Sequence, residues 1–176
     1  MENTIISGVI KQFEYYKTAA DKTFGQLSFD DMYWQPNDTS NSISIIVKHI
    51  VGNMLSRWTN FLTEDGEKDW RHREQEFVAT YTTKNDMLQA WEKGWNCLFD
   101  AIQPLKDSDL ERIVYIRNEK HTVAEAIFRQ LGHYPYHIGQ IAYIGKLLKE
   151  NHWKSLSIPK GQSEAFNKEK FNKNRN

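Results

Sequence analysis

Four stretches of the chain carry apolar residues at three- and four-residue spacing, and each such stripe needs a cover. The first runs from Thr4 to Lys22, with Ile5, Ile6, Val9, Ile10, Phe13 and Tyr16 along one face. A second runs from Ile43 to Leu62 with Val47, Ile50, Met54, Trp58 and Phe61, capped by Asn41 or Ser42. In the third, Met87, Leu88, Trp91, Trp95, Leu98 and Ile102 form the stripe, and Thr83 with Asp86 resembles a capping box at its start. Thr122 and Glu125 make a fuller box for the fourth and longest, Val123 to about Glu150. Four amphipathic helices are most simply satisfied by packing on one another, which predicts an all-α four-helix bundle.

The connections agree with one domain. A chain of 176 residues with 13% aromatic residues can fill a single core and is short for two. We place that domain at 1–166 and expect a polar, frayed tail over 167–176. About 20 residues separate the second and third helices, long enough for a crossover or a functional loop. Asp109 to Ile116 alternates as a short strand does, without an evident hairpin partner. Lys+Arg 23 balances Asp+Glu 23, so no overall field draws the chain to nucleic acid or to an anionic membrane. With no apolar run long enough to span a bilayer, no export pattern at Met1-Glu2-Asn3 and a single cysteine, Cys97, the expected location is the cytoplasm. Cys97 lies on the apolar third helix and reads as a small core residue.

The six histidines are not equivalent. His133 and His137 stand four apart on the fourth helix, so their imidazoles leave one face a turn apart and can share an ion. A third ligand has to come from another helix, and His49 stands beside the apolar stripe of the second. Three imidazoles with one open position suit zinc, nickel, cobalt or iron. On spacing alone, a pair of ordinary core or surface histidines remains the commoner explanation. His72, His121 and His152 fall in loops or at helix ends among charged residues and are excluded as ligands.

The run Arg129-Gln130-Leu131-Gly132-His133-Tyr134-Pro135-Tyr136-His137-Ile138-Gly139-Gln140-Ile141 resembles the last helix of the DinB/YfiT-like superfamily of bacterial metalloproteins. Trp34-Gln35-Pro36 followed by Ser42-Ile43 and His49 is similar to its second helix and approach. Asp65-Gly66-Glu67-Lys68 and Trp153-Lys154-Ser155-Leu156-Ser157-Ile158-Pro159 resemble an uncharacterised subfamily. The resemblance extends to about Phe166. It implies a four-helix bundle with a long connection between helices 2 and 3, and one divalent ion on His49, His133 and His137. It further implies a transferase using a low-molecular-weight thiol such as bacillithiol, and a homodimer.

Several roles stay open at this level. A metal-dependent hydrolase and a non-catalytic helical binding protein are the alternatives to the transferase. Gln140, three residues past His137, and Arg129, one turn before His133, are candidates for binding a cofactor or substrate. Arg71 and Arg73 lie in the long loop and read as solvated charges paired with Glu74 or Glu76. No catalytic residue is assigned. Pro135, between the two helical histidines, removes a backbone donor and predicts a kink that could distort their pairing.

Overall fold

The computed structural model describes residues 4–172. Met1-Glu2-Asn3 and the last four residues of the predicted tail lie outside the described residues. The fold is all-α in class, with one small hairpin. Four long helices carry it: α1 (Thr4–Phe24), α3 (Ile43–Trp58), α4 (Lys84–Ile102) and α5 (Val123–Lys149), with the short α2 (Phe29–Tyr33) between the first two. Contacts run from α1 to α5, from α5 to α3, from α3 to α4 and from α4 back to α1.

Helix starts follow local chemistry. Ser28, Ser42, Thr83 and Thr122 each accept the backbone N–H three residues on, which satisfies a donor the helix itself cannot pair. Glu125 returns the bond to the Thr122 N–H at 2.7 Å, completing the box read from the sequence. Asp31 does the same for Ser28, which is why the short α2 starts there. α3 ends at Trp58, short of the expected Leu62, because Thr59 turns extended and Asn60 takes a left-handed φ of 49°.

The core is built on aromatic rings. Phe13 of α1, Trp91 and Trp95 of α4 and Tyr134 of α5 meet edge to face or tilted, with centroids 5.5–6.1 Å apart. All four are fully buried. Every residue of the expected stripe on the second helix, from Ile43 to Phe61, is also buried. Leu88 of the third stripe is only partly buried against the core.

The predicted strand is β1 (Ile113–Ile116), and its partner is β2 (Glu119–Thr122), antiparallel with Ile113 opposite Thr122. The sequence reading missed this partner. The turn is Arg117-Asn118, with φ of 56° and 62°, the two left-handed residues a tight two-residue hairpin requires. Asp65 holds that turn by accepting the N–H groups of Arg117 and Asn118 at 2.8 and 2.7 Å. The Gly66 N–H reaches Tyr115 O at 2.8 Å, so the hairpin is tied to the long connection between α3 and α4.

That connection also packs back on α3 through a 3₁₀ turn at Arg73–Phe77. Beyond Trp153, α6 (Ser163–Phe171) is an exposed helix that takes in the first residues of the stretch 167–176 expected to be a frayed tail. Among the described residues, no helix is long and apolar enough to cross a membrane.

Candidate metal centre

α5 runs unbroken from Val123 to Lys149 through Pro135, so the ligand pairing survives the proline. His137 Nε2 lies 3.1 Å from His133 Nε2. His49 Nε2, from α3, lies 3.3 Å from the same atom, and the three rings form one group able to hold a metal ion. His72, His121 and His152 are not part of it. Two imidazole nitrogens bound at roughly 2.0–2.1 Å to one tetrahedral ion sit roughly 3.3 Å apart, so the observed spacings suit such an ion.

The far side of each ring fixes its tautomer. His49 Nδ1 lies 2.8 Å from Glu76 Oε2, His133 Nδ1 3.2 Å from Gln130 Oε1, and His137 Nδ1 3.0 Å from Gln140 Oε1. Each partner atom is an acceptor, so each Nδ1 carries the proton and donates it. All three Nε2 atoms then point lone pairs at one another. Three lone pairs at this range repel unless a cation lies between them, and outer partners of this kind are what orient histidine on a metal.

The two α5 rings are also held toward the neutral form. Burial pushes His133 down to about 3, helped by His137, His49, Arg71 and Arg57. His137 is lowered by burial too, against the hydrogen bond to Gln140. In metal-free protein the native state therefore keeps His133 unprotonated while the unfolded chain protonates it near its ordinary value. Stability from this source is intact above about pH 6.5 and falls as pH drops toward 3, because the unfolded state then binds more protons. Glu76, held below the ordinary carboxylate range, adds a loss in the same direction at lower pH. Urea midpoints of chelator-treated protein are expected to fall steadily from pH 7.5 to 4.5; a flat profile would show that His133 is not desolvated.

Glu76 is the residue the sequence reading missed. Its carboxylate is buried, and burial alone would disfavour its charge, but hydrogen bonds from His49 and Arg71 and the Arg71 charge outweigh that. Arg71 Nε and Nη2 reach its two oxygens at 2.7 and 3.0 Å. Far from being solvated, the Arg71 side chain is 3% exposed. Phe77, next in the same turn, stacks on the His49 ring at 5.2 Å. Tyr134, between the two α5 ligands, donates to Asn53 Oδ1 and accepts from Trp58 Nε1, both at 3.0 Å, and so ties α5 to α3.

Gly52 makes room for this arrangement. A Cβ there would fall 2.4 Å from Glu76 Oε1 and 2.8 Å from its Cδ, and the carboxylate has no slack because His49 and Arg71 hold it. Gly52→Ala is expected to destabilise the fold by about 1–3 kcal/mol, despite the better helix propensity of alanine, and to weaken metal binding about tenfold. Gly132→Ala on α5 meets nothing within 4 Å and is expected to stabilise by about 0.5–1 kcal/mol. Paired thermal melts and metal titrations separate the two; equal behaviour would remove the steric role of Gly52.

Beside the triad opens a cleft of about 230 Å³ that includes His49 and His133 in its wall. Arg129, a candidate from the sequence for binding a cofactor or substrate, lines it, and so do Arg71 and Arg73. Gln140 does not line it; its place is against His137. Residues 1–162 match the family described as Protein of unknown function (DUF1572). The chain belongs to that family. No curated protein and no solved structure matches the chain.

Proposed function

We propose that the chain is a divalent-metal-dependent enzyme of the DinB/YfiT-like type, with His49, His133 and His137 as ligands. We further read it as a transferase that joins a low-molecular-weight thiol, such as bacillithiol, to a small electrophile. The observation that carries the metal reading is the convergence of three Nε2 lone pairs whose Nδ1 protons are committed to Glu76, Gln130 and Gln140. An ion bound there would acidify a thiol or a water placed against it. Thiol transfer itself rests on the resemblance of the α5 and α3 motifs.

The chain's own residues do the rest. Glu76, Gln130 and Gln140 keep the rings in one tautomer, and burial holds His133 and His137 toward the neutral form. In the transfer, the S–H bond breaks with its proton passing to solvent. A sulfur–carbon bond then forms as the bond from that carbon to the leaving group breaks, its electron pair departing with the leaving group.

The test is elemental analysis of untagged protein, followed by turnover of a chloroaryl electrophile with and without bacillithiol. About one divalent ion per chain is expected, lost in His49→Ala and His137→Ala while helicity by circular dichroism persists. Product that forms only with thiol supports transfer. Product formed equally without thiol would replace transfer by hydrolysis, and an ion retained by both variants would sink the triad.

A further inference from the structure

We propose that the cleft beside the triad seats the anionic end of the substrate, a carboxylate or a phosphate, while the reacting end faces the three histidines. The inference rests on the metal-centre reading above and adds the charge class of the substrate to it.

Five guanidinium groups line one small cleft: Arg57, Arg71, Arg73, Arg117 and Arg129. They converge from separate parts of the fold, α3, the long connection, the β1–β2 turn and α5. Like charges gathered this closely disfavour one another unless something neutralises them, and the chain only partly does so. Glu67 serves Arg57, Arg71 and Arg117 together, at 3.2–3.3 Å. Glu76 serves Arg71, and the exposed Glu74 serves Arg73. Asp65, the other acid nearby, accepts backbone N–H groups of Glu67, Arg117 and Asn118. Five cations are thus met by three carboxylates among the described residues.

Two guanidiniums show the shortfall directly. The Arg129 side chain has no hydrogen bond or ion pair to any described residue, and it stands on the same helix as His133, one turn earlier. Arg57 is 6% exposed, gives Nη1 to Gly66 O and Glu67, and leaves its buried Nε without a hydrogen-bond partner, so its charge is only partly met inside the fold.

The remaining walls are also donors. Asn53 accepts from Tyr134 with Oδ1, and Gln130 accepts from His133 with Oε1, which leaves the NH₂ of each amide for the cleft. No carboxylate lines it. A wall of guanidinium and amide donors matches the planar oxygens of a carboxylate or the oxygens of a phosphate, and rejects a cationic substrate. Its small volume suits the headgroup of a low-molecular-weight acid rather than a polymer.

Isothermal titration with inorganic phosphate and with succinate tests this on zinc-loaded wild type, Arg129→Gln and the Arg73→Gln/Arg129→Gln pair. Arg73 and Arg129 both lie on the surface, so the folds are expected to match by circular dichroism. Wild type is expected to bind at least one probe, more weakly as salt rises, and the double variant to bind it at least about tenfold more weakly with metal content unchanged. The preferred probe assigns phosphate or carboxylate. Equal binding by wild type and double variant, or no binding by metal-loaded wild type, overturns the anion site and leaves the metal centre standing. Arginine-dependent binding by a wild type that takes up no metal would uphold the anion site and sink the metal reading instead.

Discussion

Glu76→Ala is expected to destabilise the protein by about 3 kcal/mol and to lower metal affinity 10–100-fold. Both effects come from one carboxylate with two charged or ring partners. Arg71, its side chain 3% exposed, would be left in the interior with only Glu67, which it already shares with Arg57 and Arg117. Removing one member of a buried ion pair leaves an uncompensated charge, and the retained Glu67 contact keeps the loss toward the low end of the usual range. His49 would lose the acceptor that holds its proton on Nδ1. The ring could then take the other tautomer or rotate, and either withdraws one of three lone pairs from the site. Glu76→Gln separates the roles: the amide oxygen can still accept from His49 while the charge opposite Arg71 is gone, so affinity should recover more than stability. Chemical denaturation and competition against a chromophoric chelator read the two. Wild-type metal affinity in the alanine variant would remove Glu76 from the site.

The pairing of His133 and His137 was legible because four residues is one helical turn, a local relation that folding does not alter. His49 was legible as a candidate from its place beside the apolar stripe of the second helix and from its motif context, but its distance from the other two is set by how α3 packs on α5. The same holds for the bracket around the pair. Gln130 lies three before His133 and Gln140 three after His137, a helix-surface relation that the spacing contains, although only Gln140 was singled out. Glu76 carries no such local mark. It stands 27 residues from His49 in a segment with Arg71, Arg73 and Glu74, where charge reads as solvent exposure. Only the packing of the 3₁₀ turn onto α3, with the space left by Gly52, reveals it as an interior group. The hairpin escaped for a different reason. Glu119-Lys120-His121-Thr122 has neither the alternation nor the apolar content of a strand, and what makes it one is the left-handed Arg117-Asn118 turn held by Asp65. Arg117 reaches the cleft by that route, from 60 residues beyond Arg57.

The three histidines lie beside the aromatic core. Tyr134 is the joint: its ring lies 5.9 Å from Phe13 and 6.0 Å from Trp95, while its hydroxyl bridges Asn53 and Trp58 of α3. One residue before it along α5 stands His133, and His137 follows three residues after it. The angle between α3 and α5, which decides how far His49 stands from His133, is therefore fixed by packing rather than by the ion. A preformed triad of this kind would bind an ion without having to order the chain first.

That reasoning makes Trp95 the core position with the largest expected effect. Its fully buried indole meets Phe13 at 6.1 Å, Trp91 at 5.5 Å, Phe99 at 5.6 Å and Tyr134 at 6.0 Å. Trp95→Ala removes a large apolar surface and leaves a cavity ringed by aromatics that cannot all collapse into it, so a loss of about 3–5 kcal/mol is expected. For a chain of this length that corresponds to a melting temperature lower by roughly 10–15 °C. Trp95→Phe should cost far less, about 1–2 kcal/mol, because the indole Nε1 has no hydrogen-bond partner and its removal relieves a buried donor while most of the ring contact remains. Because Tyr134 leans on Trp95, the alanine variant should also loosen α5 against α3 and weaken the metal site, whereas the phenylalanine variant should leave it intact. Melting curves taken with and without zinc check both parts. If Trp95→Ala keeps the full zinc-dependent rise in melting temperature, the metal centre does not depend on the aromatic core behind it.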